Sequence, residues 1–112
     1  MKNLVNELAM RIKTLDVTVN QLGKSGREHA NAEAAYRTAL AKAILLRRDE
    51  GMPVTIIGDV CRGSAEIAQL KLKRDIAEVN HQVCLESINS QKLAIRILDA
   101  QLQREWGYDG KN

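Results

Sequence analysis

The sequence predicts an all-α protein: a long antiparallel helical hairpin, completed as a four-helix bundle when two copies of the chain dimerise. Three observations predict it. Residues 64–106 carry one helical pattern with apolar residues on two opposite faces, so a single neighbour leaves one face bare. Residues 4–44 carry a second, single-faced helical pattern. Between them stands the only proline of the chain, beside a glycine that ends the first pattern.

The first helix is expected over about residues 3–50. Leu4, Leu8, Ile12, Leu15, Val19 and Leu22 recur at steps of three and four, and Tyr36, Leu40 and Ile44 resume the same phase. The Ala-rich stretch between Ala30 and Ala43 favours helix and allows a close neighbour. Gly23-Lys24-Ser25-Gly26 interrupts it, and two interior glycines cost about 2 kcal/mol against alanine. A turn there would make a three-helix bundle in which Ile95, Ile97, Leu98 and Leu102 have no cover. A continuous helix of about 70 Å, at ~1.5 Å per residue, covers them. The unbroken phase across 23–26 also predicts one helix, at most bent there.

Gly51 and Pro53 end the first helix and open a connector over 51–63. Val54-Thr55-Ile56-Ile57 reads either as a short extended run or as a short helix capped by Thr55 and closed by Gly63. The helix is preferred. Ser64 then caps a long helix over about 64–106, with Glu66 complementing its dipole. Its inner face holds Leu70, Ala77, Cys84, Ile88, Ile95, Leu98 and Leu102. Its outer face holds Leu72, Ile76, Val79, Val83, Leu93 and Ile97, the expected oligomer interface. Trp106-Gly107 ends it, and residues 107–112 are expected to form a frayed tail. Trp106 and Tyr108 would seal the open end of the hairpin, or else anchor a partner protein.

Composition narrows the function classes. The 112 residues make a single domain over 1–112 with 45% hydrophobic residues, which excludes wholesale disorder. Aromatic residues are only 3%, with no Phe, so the apolar material is aliphatic and suited to seams between helices. Seventeen basic residues against fourteen acidic give a net charge of +3, too balanced to announce a nucleic-acid protein. Cys61 and Cys84 do not make a disulfide framework, no apolar run reaches membrane-span length, and the N-terminus lacks a signal-peptide core. A reducing cytoplasm, without membrane association, is the expected setting; the resemblance described below implies a bacterial host cytoplasm.

Each candidate site has an architectural reading beside it. Gly23-Lys24-Ser25 looks like the end of a phosphate-binding loop, but Thr18 stands where the first glycine is required, and the stretch interrupts a helix. His29, Glu33, His81 and Cys84 fall near one level if the chain folds back about residue 57, a chemically sensible zinc ligand set. The expectation is instead a hydrogen-bonded polar layer, Glu33 with His81 or Arg74, that fixes the register. No metal, no cofactor and no catalytic residue are expected, because no nucleophile has a convincing base and orienting group. Arg47, Arg48, Arg62, Lys71, Lys73 and Arg74 gather near the hairpin tip as candidate phosphate contacts, nearly cancelled by Asp49, Glu50, Asp59, Glu66 and Asp75.

Tyr36-Arg37-Thr38-Ala39-Leu40-Ala41, the stretch Arg47 to Ile57, and Lys73-Arg74-Asp75-Ile76-Ala77-Glu78 make up a further pattern. With Glu86-Ser87-Ile88-Asn89 and Arg104-Glu105-Trp106-Gly107, it resembles small uncharacterised helical proteins of phages and prophages of Gram-positive bacteria. The resemblance covers roughly residues 28–107, and Cys61 and Cys84 lie outside it. Those proteins have no assigned activity, so it implies a context and no functional residues. The expected function is a non-enzymatic, phage-derived adaptor that binds a host or phage protein. The alternatives are a nucleic-acid accessory protein of phage replication or recombination using the basic tip, and an inhibitor of a host defence protein.

Overall fold

The structure, a computed structural model, describes residues 2–110, with side chains described through residue 107. It is helical in three elements: α1 (Lys2–Asp49), α2 (Val54–Arg62) and α3 (Ala65–Gly110). No strand occurs among the described residues. Helix α1 runs unbroken through Gly23–Gly26, as the phase of its apolar stripe requires. Helix α3 continues past Trp106 and Gly107 to Gly110, because a glycine without a following proline lowers helix propensity and does not forbid helix. Lys111, Asn112 and the Tyr108 side chain lie outside the described residues.

The end of α1 is a backbone device. Gly51 takes φ +86°, a left-handed conformation in which a side chain would be strained. Its N–H donates to the Arg48 carbonyl at 3.0 Å, and the Met52 N–H donates to the Arg47 carbonyl at 3.1 Å. These two bonds are the Schellman closure of a helix. Arg47 and Arg48 in the last turn complement the negative end of the dipole.

Helix α2 forms where the sequence allowed either helix or strand, with Gly63 closing it, but Thr55 is not its cap. Pro53 takes that position, with φ −57° and ψ 134°, and no side chain caps the helix. Proline's fixed φ suits the entry, and its missing N–H is no loss there. Ser64 accepts the first backbone bond of α3, from the Ala68 N–H at 2.9 Å. Its hydroxyl points backwards, donating to the Cys61 carbonyl at 2.8 Å, so it ties α2 to α3.

The chain forms two compact units, Met1–Lys24 with Gln82–Asn112, and Ser25–His81. In the second, α1 and α3 run antiparallel, since His29 meets His81 and Glu33 meets Arg74. The buried Ile57 and Cys61 of α2, one turn apart, and the buried Ile67 of α3 contribute to its core. In the first unit the core includes Thr18, Ile88 and Leu98.

Among the covered positions of α3, one line advances at alternating steps of three and four. It holds Ile67, Leu70, Arg74, Ala77 and His81 in one unit, and Cys84, Ile88, Gln91, Ile95, Leu98 and Leu102 in the other. This 3.5-residue period is what keeps a seam facing one partner helix. On α1 the same spacing selects Leu15, Thr18 and Leu22. That corrects the expected stripe: Ile12 and Val19 are 45% and 47% exposed, and Thr18 is 8% exposed. Thr18 and Val19 flank the line from Leu15 to Leu22, and the seam takes the threonine, whose hydroxyl finds partners there.

Candidate functional site

The polar residues of the seam divide between the two units. In unit 25–81, Ser25 Oγ and His81 Nδ1 are 3.0 Å apart. The His29 and His81 rings stack with centroids 6.3 Å apart. One turn further along α1 from His29, Arg74 Nε lies 3.4 Å from Glu33 Oε2, and the guanidinium sits 4.6 Å over the Tyr36 ring. Arg74 also donates to Asp75 Oδ1 at 2.9 Å through Nη2 and 3.0 Å through Nε. The Asp75 hydrogen bond is the main reason its proton is held more firmly than usual, against a smaller opposing effect of burial and with help from the Asp75, Glu33 and Tyr36 charges. Glu33 is further engaged by Arg37 at 2.6 Å.

In the other unit, Thr18 is the hub. Its hydroxyl donates to the Thr14 carbonyl at 3.0 Å and accepts from Gln91 Nε2 at 2.9 Å. Gln91 Nε2 also donates to Ser87 Oγ at 3.1 Å, and Cys84 Sγ donates to the Thr18 carbonyl at 3.5 Å. Gln91 Oε1 is buried without a hydrogen-bond partner.

Of the four residues His29, Glu33, His81 and Cys84, the structure pairs the two imidazoles. It sends Glu33 to Arg74 and Cys84 to Thr18. No three of His, Cys, Asp and Glu among the described residues are grouped to hold a metal ion. The expected pairing of Glu33 with Arg74 is present; that of Glu33 with His81 is replaced by Ser25. Ser25 stands at a seam position, one heptad before Ala32, which its place in the loop-like Gly23-Lys24-Ser25 stretch conceals in the sequence. A serine beside an imidazole is the first half of a nucleophile–base arrangement. Here both belong to the seam between two helices, and neither lines the grooves described below.

The basic cluster separates into two kinds of residue. Arg47 bonds Glu50 at 3.1 Å, Arg62 lies 3.8 Å from Asp59, and Arg74 is held as above. Arg48, Lys71 and Lys73 are exposed. Arg74 is less open to a phosphate than these, because its guanidinium stacks on Tyr36, hydrogen-bonds Asp75 and lies 3.4 Å from Glu33.

The aliphatic residues are the larger observation. Leu72, Ile76 and Val79 of unit 25–81 are 51%, 52% and 59% exposed; Val83, Leu93 and Ile97 of the other unit are 62%, 53% and 59% exposed. Near α2, Leu45, Leu46, Val54, Ile56 and Val60 are exposed as well. Trp106 is 67% exposed and so seals nothing. Two connected grooves mark unit 25–81. One, of about 730 Å³, lies between the Ala34–Arg47 stretch of α1 and residues around Cys61 and Ile67. The other, of about 610 Å³, is bordered by Ala32 and Ala35 on α1 and by Ile76, Ala77 and Asn80 on α3.

No protein-family model matches the chain, and neither a curated protein nor a solved structure matches it. No described helix is long and apolar enough to cross a membrane.

Proposed function

We propose that this chain is a non-enzymatic, protein-binding adaptor that works as a homodimer, its copies pairing through the outer face of α3 into a four-helix, coiled-coil-like assembly. The observation that carries this reading is the aliphatic row Leu72, Ile76, Val79, Val83, Leu93 and Ile97, every member at least half exposed. Covering the remaining half of each side chain is worth about 1 kcal/mol apiece before the cost of association.

The resemblance of the sequence to phage and prophage proteins supports a bacterial host cytoplasm as its setting and a host or phage protein as its target. The nucleic-acid alternative gains nothing from the site, since half of the six basic residues are engaged by carboxylates within the chain.

The test is the mass in solution by light scattering. The wild-type chain is expected at twice 12.5 kDa. Val79→Asp is expected to halve that mass and lower the melting temperature sharply, because it places a carboxylate in the middle of the apolar row. A monomeric wild type, or a Val79→Asp variant of unchanged mass, overturns the proposal.

A further inference from the structure

The grooves of unit 25–81 offer a seat for the row on α3. Ala35 belongs to both, so they form one channel along α1. Its floor there is alanine and threonine (Ala34, Ala35, Thr38 and Ala39), which lets a neighbouring helix approach closely. Its edge on α3 is Ile76, which also borders a smaller hollow with Val79. Leu72, Ile76 and Val79, at steps of four and three, make a ridge that adjoins the channel on the same surface.

A surface that holds both a ridge and a groove is the requirement for an isologous pair, in which each copy presents the same patch to the other. We propose that the Leu72–Ile76–Val79 ridge of one copy sits in the alanine-floored channel of a second copy, and the reverse. This rests on the homodimer reading above and adds the seat. The charges along the channel agree with a second copy as occupant. Glu28 and Lys42 on α1 and Glu66 and Lys73 on α3 are two of each sign, and the remaining cation, Arg47, is held by Glu50. Two identical patches of this kind meet without net repulsion. A foreign helix would have to bring a matching ridge, whereas this chain carries one.

Ala35 and Thr38 are exposed, so a glutamate at either fills the channel without entering the α1–α3 seam, and glutamate favours helix. Ala35→Glu and Thr38→Glu are each expected to halve the mass seen by light scattering while the helical circular dichroism is kept. Should Ala35→Glu lose helix, Thr38→Glu decides. If both stay dimeric while Val79→Asp is monomeric, the copies pair through the ridge elsewhere and the channel is not its seat. If Val79→Asp is dimeric as well, or the wild type is a monomer, the homodimer reading falls and this inference with it.

Discussion

Ser25 Oγ meets His81 Nδ1 at 3.0 Å across a gap of 56 residues, tying the middle of α1 to the middle of α3. The next residue on α1 is shaped by the same ring. A Cβ at Gly26 would lie 3.3 Å from His81 Cε1 and 3.8 Å from Nδ1. Alanine in a helix interior is worth about 1 kcal/mol over glycine, and here the ring must shift by a few tenths of an ångström to realise it.

Gly26→Ala is therefore expected to change stability by less than about 0.5 kcal/mol in the wild type and to stabilise by about 1 kcal/mol in a His81→Ala background. A double-mutant cycle in urea measures the difference. Equal gains in both backgrounds would mean that the ring does not constrain Gly26.

Gln91 is the weak member of the other polar group. Its amide nitrogen has Thr18 and Ser87, but Oε1 is buried without a partner. An unmade bond of this kind costs about 1–3 kcal/mol. Leucine at this seam position is expected to raise stability by about 1 kcal/mol, because it removes the orphan and adds apolar contact. Thr18→Val alone is expected to lower stability by about 1 kcal/mol, since it strips a partner from Gln91 Nε2. Thermal unfolding of the two single variants and the double variant decides. A destabilised Gln91→Leu would show that the amide is needed where it stands.

Several of these features were legible before the structure. The two faces of α3 separate cleanly because aliphatic residues stand on opposite sides of one uninterrupted helix. Leu98 on the inner face is 7% exposed and Ile97 beside it 59%. The continuity of α1 was legible from the phase of Leu22 and Tyr36, since a turn at Gly23–Gly26 has no reason to keep it. What sequence spacing does not carry is register at the scale of one residue. His29 and Glu33 lie one turn apart on α1, yet their partners, His81 and Arg74, lie seven residues apart on α3, and Cys84 joins Thr18 instead. Thr18 was overlooked for a similar reason: a threonine that back-bonds to Thr14 buries as readily as Val19. Thr55 reads as the cap because side-chain oxygens are the usual signal, and the proline entry observed uses none.

The closure of α1 makes the last prediction. Gly51 at φ +86° donates one of the two closing bonds, and its conformation lets the following Met52 N–H donate the other just before α2 begins at Val54. Nothing lies within 4 Å of a Cβ at this position, so any cost of substitution is conformational and not steric crowding by neighbours. Gly51→Ala is expected to destabilise by about 1–2 kcal/mol, the cost of holding a non-glycine residue in the left-handed region. Asparagine tolerates that region and is expected to lose less. The two variants are to be compared by urea unfolding, with the slope of the transition as the control for an unchanged native fold. Equal stability of Gly51→Ala and the wild type would mean that α1 closes without the left-handed residue.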